Sequence, residues 1–209
     1  MRELTPIWTF QGSASPSSLS ISLDGKFAGV GHKKGLALLN ESGRPVWNNS
    51  KIRRVRDISV STRTGLMSIA SGQKVLYLVN RDGKIRWHRE LPSTAVSTSI
   101  NSRGTVIAVG TAEGRLIIYD GKGKVKWEKH LSDSDFSINS VDISSDGQFI
   151  VAGTNYSRVY LYNIQGDILW SKETSGEVIQ TCISSNGDYV GYLTSDNTFT
   201  FGVKSSRIL

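Results

Sequence analysis

Cysteine is almost missing from this chain of 209 residues. Cys182 is the single thiol, so no internal disulfide can form and a disulfide-stapled secreted scaffold is excluded. No run of 18 apolar residues occurs either, which rules out a spanning helix. The start, MRELTPIWTF, has no apolar stretch of about 7 to 15 residues behind its basic residue, so no secretory leader is expected. With one thiol and no leader, the expected location is the reducing cytoplasm. The triplets at Asn40, Asn48 and Asn155 fit the glycosylation pattern, but without a leader they carry no weight. Acidic residues are also short: 18 against 25 Lys and Arg, a net charge of +7. Apolar residues, 38% of the chain, run along its whole length, so the chain can bury a core and disorder is excluded.

What the chain does contain is periodic. Trp8, Trp47, Trp87, Trp127 and Trp170 lie 39, 40, 40 and 43 residues apart. The last four each follow a glycine by four residues, at Gly43, Gly83, Gly123 and Gly166. A second series, Gly25, Gly65, Gly104, Gly147 and Gly187, keeps nearly the same spacing. Two series on one period define a repeat array, and a period near 40 points to a solenoid or a propeller. Inside each unit the apolar residues alternate with period two, as in Leu19-Ser-Ile21 and Val141-Asp-Ile143, which is strand rather than helix. The third unit shows the plan: strands at Val96–Ile100, Val106–Gly110, Leu116–Tyr119 and Val125–Trp127, separated by turn residues. Asp24-Gly25, Asp146-Gly147 and Asn186-Gly187 suit tight hairpins. Six residues beyond the turn glycine a small residue recurs, at Gly31, Ser71, Gly110 and Gly153, where neighbouring sheets would crowd near an axis. A tryptophan present once per unit is expected to cover the seam between adjacent sheets, a structural role for Trp8, Trp47, Trp87, Trp127 and Trp170.

The unit Ser-x-Asp-Gly, Val-Gly-Thr, Leu-x-x-Tyr-Asp, Gly-x-x-x-Trp resembles the WD40-like and PQQ-like β-propeller repeats over essentially the whole chain. Tyr119-Asp120 and Tyr162-Asn163 stand where a WD40 repeat has Trp-Asp, while its Gly-His pair is absent. Gly83-Lys84 with Trp87 and Gly123-Lys124 with Trp127 are similar to the outer-strand motif of PQQ-like propellers. The resemblance implies an all-β propeller serving as a platform. The expected fold is one propeller domain over residues 1–209, with units of about 11–49, 50–89, 90–129, 130–172 and 173–209. It has five four-stranded blades, and an N-terminal strand over 7–10 closes the last blade. Two alternatives stay open: Arg207-Ile208-Leu209 forms that fourth strand, or a larger ring is completed by further sequence or a second subunit. A self-closed ring would be a monomer.

No catalytic constellation is legible. His32, His88 and His130 do not converge in sequence, so no metal is expected, and no cofactor either, because no calcium-ligand cluster accompanies the PQQ-like motif. Cys182, between Thr181 and Ile183, reads as a buried small hydrophobe. Asp24, Asp120 and Asp146 are turn residues, which leaves Asp57, Asp142, Asp133 and Asp135 as the carboxylates to weigh for carbohydrate chemistry near an axis. A single inner-strand carboxylate such as Asp142 makes no acid/base pair, so the expectation is a protein that is not an enzyme. The basic excess is the better clue. Loops after second strands and between blades carry Lys33, Lys34, Lys51, Arg53, Arg54, Arg56, Lys74, Arg115 and Arg158. These residues are the candidate contact face for an acidic protein partner, with nucleic acid or another polyanion as the alternative. Aromatics do not interleave with the Arg cluster, which disfavours stacking on single-stranded bases.

Overall fold

In a computed structural model, residues 6–22, 24–131 and 136–204 are described. They form 19 antiparallel strands in five sheets. Among them no helix is long and apolar enough to cross a membrane. The first sheet holds β1 (Pro16–Ile21), β2 (Phe27–His32), β3 (Gly35–Asn40) and β4 (Pro45–Asn49). β5 (Val55–Val60), β6 (Met67–Ser71), β7 (Val75–Val79) and β8 (Ile85–Glu90) form the second. The third consists of β9 (Ala95–Ile100), β10 (Val106–Thr111), β11 (Arg115–Asp120) and β12 (Val125–His130). In the fourth are β13 (Ile138–Ile143), β14 (Phe149–Thr154), β15 (Arg158–Asn163) and β16 (Ile168–Glu173). The fifth has three strands, β17 (Val178–Ile183), β18 (Tyr189–Thr194) and β19 (Phe199–Val203).

The sheets are propeller blades packed face to face. Three core clusters combine the second and third strands of one blade with the first three strands of the next. Thus Ala108, Leu116 and Ile118 meet Val141, Ile143, Ile150 and Tyr162. Three outer-strand tryptophans reach across to the hairpin of the following blade. Trp47 Nε1 donates to the Arg81 carbonyl at 2.8 Å, Trp87 to Gly121 at 3.1 Å and Trp127 to Ile164 at 2.9 Å. Each indole lies on the hairpin glycine of the following blade. At Gly83 a Cβ would stand 2.9 Å from Trp47 Cδ2, and its φ of +77° is a second reason for glycine.

Around the inner edge, the first strands are joined by a ladder the sequence reading did not anticipate. The first strands of the first four blades each carry two polar side chains, two residues apart, that accept from backbone N–H groups of the next blade. Ser18 and Ser20 accept from Ile58 and Val60 at 3.0 and 3.1 Å. Asp57 and Ser59 accept from Thr98 and Ile100, at 2.9 and 3.2 Å. Ser97 and Ser99 take the N–H groups of Val141 and Ile143, and Ser140 and Asp142 those of Thr181 and Ile183. The small residues sit beside this ladder because the blades crowd there. A Cβ on Gly110 would stand 2.5 Å from Ile138 Cγ2, and one on Gly153 2.8 Å from Thr181 Cγ2.

Three expectations change. Residues 7–10 form no strand, and the fifth blade has three strands among the described residues. An isolated segment of alternating residues needs a sheet edge to pair with, and here its apolar side chains cover the first blade instead. Trp8 Nε1 donates to the Glu41 carbonyl at 2.8 Å, its indole lies over Gly43, and Phe10 packs on Ala28, Ala37 and Leu39. The expected residues 207–209, like Asp133 and Asp135, lie outside the described residues. Inner strands neighbour one another in the order β1, β5, β9, β13, β17, and no comparable contact joins β17 to β1. The described blades therefore form an arc with two free ends. Cys182, expected to be buried, is exposed for the same reason, since no blade among the described residues follows its side of β17.

Candidate functional site: a cationic loop face

Turns between second and third strands and links between blades are stitched together on one face of the arc. Arg54 N–H donates to the Lys33 carbonyl at 2.9 Å and Gly72 N–H to the Arg54 carbonyl at 2.8 Å. The same connection recurs as Leu91 N–H to Lys74, Leu131 N–H to Gly114 and Thr174 N–H to Ser157. Residues 33–34, 51–56 and 72–74, separated in sequence, thus become one surface on the first two blades.

The nine candidate cations separate into two groups. Lys33, Lys34, Lys51, Arg53, Arg54, Arg56 and Lys74 are all exposed, and none makes an ion pair with a described carboxylate. Arg115 and Arg158 are half-buried and neutralised across the third and fourth strands of their own blades, Arg115 by Glu128 at 2.5 Å and Arg158 by Glu173. The strand register carries this split: Arg158 lies directly opposite Glu173, and Glu128 lies two residues along the strand from His130, the partner of Arg115. The backbone sets several of the free cations. Arg54 and Lys74 adopt left-handed φ values of 52° and 62°, conformations that cost a non-glycine residue on the order of 1 kcal/mol. Arg53 Nε donates to the Ser50 carbonyl at 3.2 Å, and Ser71 Oγ donates to the Arg53 carbonyl at 2.8 Å, fixing the link between the blades.

The carboxylates near the inner edge act in the ladder. Asp57 accepts from Ser18 Oγ and Ile58 N–H on one oxygen and from Ser97 Oγ and Thr98 N–H on the other, spanning three blades. Asp142 accepts from Ser99 Oγ, Ile143 N–H and Ile183 N–H at 2.9 Å each. Burial pushes the Asp142 carboxyl above the usual carboxylate range; its hydrogen bonds oppose this and the charge of Asp57 reinforces it. Asp24 and Asp120 hold hairpins: Asp24 accepts from Ser22 Oγ and Lys26 N–H, Asp120 from the N–H groups of Lys122 and Lys124. Those bonds hold both carboxyls below their usual value, Ser22 leading for Asp24 and Lys124 for Asp120. His130 Nε2 is 2.7 Å from the Glu113 carbonyl, and His32 Nδ1 accepts from Lys34 N–H at 3.2 Å. Among the described residues no three His, Cys, Asp or Glu side chains are grouped to hold a metal ion.

Face-to-face four-stranded blades, a tryptophan seam and an inner-edge ladder define a β-propeller repeat protein. The family described as outer membrane protein assembly factor BamB matches over residues 32–208, and the chain belongs to that family. No curated protein matches it.

Proposed function

We propose that this chain is a non-enzymatic interaction platform whose first two blades receive an acidic segment of a protein partner. The observation behind this reading is the division of the cations. Arg115 and Arg158 have carboxylates of their own, whereas seven Lys and Arg side chains on one stitched surface have none among the described residues. A surface of one sign steers partners of the opposite sign and raises their association rate. The inner-edge carboxylates favour a binding role over a catalytic one, since each is occupied by hydrogen bonds that hold blades together. A protein partner is preferred to nucleic acid because residues 50–56 offer no aromatic ring for base stacking.

The test is fluorescence anisotropy with a labelled poly-glutamate peptide and a labelled DNA duplex, each at roughly 50 and 200 mM salt. The peptide should bind, and a variant carrying Lys33→Glu, Lys51→Glu, Arg53→Glu and Arg56→Glu should bind it at least tenfold more weakly with unchanged melting. Equal binding by the variant would overturn the face. Duplex binding stronger than peptide binding, with a steep loss between the two salt concentrations, would replace the protein partner with nucleic acid.

A further inference from the structure

The two ends of the arc are complementary halves of an interface that the chain already builds four times. Each internal interface sets one face of a blade's second and third strands against the opposite face of the following blade. In the fourth blade that leading face includes Val159 and Leu161, both 0% exposed against the fifth. The same positions in the fifth blade are Phe199 and Phe201, 62% and 64% exposed, with Tyr189 and Leu193 beside them. At the other end, Leu19 and Ile21 of β1 are 62% and 58% exposed, whereas their counterparts Ile58 and Val60 in the second blade are 4% and 7%.

The outer edge repeats the complementarity. In the fourth blade, Leu161 pairs with Trp170 and Tyr160 with Ser171. Among the described residues the fifth blade has no such strand, and a cavity of about 290 Å³, lined by Trp170, Val190, Tyr192 and Thr200 among others, opens where it would lie. Residues 7–10 already stand in the matching place relative to the first blade, with Trp8 over Gly43 as Trp47 lies over Gly83. Their own fifth blade is not beside them: Gly191 has Cys182 and Phe199 as neighbours, where its counterpart in the first blade, Gly29, has Ile58, Val60 and Met67 of the next blade.

We infer that the fifth blade docks onto the first blade of a second copy of this chain, and that residues 7–10 of that copy supply its missing fourth strand. Phe199 and Phe201 then cover Leu19 and Ile21 of the second copy. Phe201 is paired with its Trp8, and Thr200 with its Thr9, whose side chain enters the cavity. The N–H groups of its Leu19 and Ile21 meet Gln180 and Cys182, which hold the acceptor positions of the ladder. The contact is head-to-tail, continuing the internal stacking, and is independent of the cationic face.

The register gives a direct test. In a Cys182→Ser background, Thr9→Cys is placed in one tagged copy and Thr200→Cys in another, because directly opposed residues on antiparallel strands come within disulfide range. Mixed under oxidation, the two copies should form the mixed disulfide at least tenfold faster than a pairing of Thr200→Cys with Asn48→Cys. Adding Phe201→Glu should abolish the link while leaving the melting curve unchanged, and sedimentation of the wild type should show mass rising with concentration. A disulfide that forms only within a single chain carrying both cysteines means that the ring closes on itself and overturns the inference. Absence of either disulfide also overturns it, because the fifth blade then has a different occupant or none.

Discussion

Gly153→Ala measures how tightly the blades crowd along the inner edge. The added methyl falls inside contact distance of Val178 Cγ1 and 2.8 Å from Thr181 Cγ2, both on β17 of the next blade. Those atoms belong to β-branched side chains with little rotamer freedom, so relief requires the blades to separate by a fraction of an ångström. Overpacking of this kind costs about 1 to 3 kcal/mol. Stiffening the unfolded chain offsets about 0.4 to 1 kcal/mol of that. The net expectation is a loss of roughly 1 to 2 kcal/mol, equivalent to about 2 to 8 °C in Tm for a chain of this size. Gly29→Ala is the internal control, for its Cβ would stand 3.5 Å from Ile58 Cγ2, an ordinary contact. That variant should be neutral or slightly stabilised. Urea unfolding followed by tryptophan fluorescence reads both, with the midpoint as the measured quantity because repeat arrays can unfold in steps. If Gly153→Ala unfolds at the wild-type midpoint, the close approach of the fourth and fifth blades is wrong.

Trp127→Ala removes a half-buried indole that donates to Ile164 and packs on Tyr162, and should lose about 2 to 3 kcal/mol in the same assay, less than for a fully buried tryptophan. Asp142→Ala strands the N–H groups of Ile143 and Ile183 and the Ser99 hydroxyl, so a loss of roughly 2 to 4 kcal/mol is expected. The same residue gives a pH signature. Its folded carboxyl titrates above the ordinary value of 3.8, so the folded state binds more protons in that window and stability falls as pH rises from the ordinary value through the raised one. Acidification from neutral should therefore favour the wild type relative to Asp142→Asn, and midpoints measured from pH 7 to pH 4 that keep a constant difference would count against this. Lys74→Gly should raise stability by about 1 kcal/mol through relief of its left-handed backbone, and should weaken binding of the acidic peptide.

The blades were legible because each needs the same few residues for the same geometric reasons. A tryptophan covers a hairpin, a glycine yields room beneath it, and a small residue stands where sheets converge. These demands recur with the unit, so the spacing alone reveals them. The inner-edge ladder was equally periodic, in Ser18-x-Ser20, Asp57-x-Ser59, Ser97-x-Ser99 and Ser140-x-Asp142. It went unread because serine in a strand carries little information until its partner, some forty residues away, is known. Local pattern misled at Ile7-Trp8-Thr9-Phe10, whose alternation fits a strand equally well whether an edge is present or not. Cys182 was misjudged for a related reason, since burial of a strand face is decided by the neighbouring blade and not by the strand. At the cationic face, sequence named nine loop cations without distinguishing them, and only the cross-strand pairing separated Arg115 and Arg158 from the other seven.

The inner-edge ladder also bears on how such a chain can change in length. Each unit brings two acceptors for its successor and two donors for its predecessor, so a whole blade gained or lost by duplication or deletion leaves both junctions chemically matched. A single residue inserted into β9 has the opposite effect. It turns Ser97 and Ser99 away from Val141 and Ile143 and shifts Thr98 and Ile100 off Asp57 and Ser59, disconnecting the third blade on both sides. In this architecture, forty residues are a smaller perturbation than one.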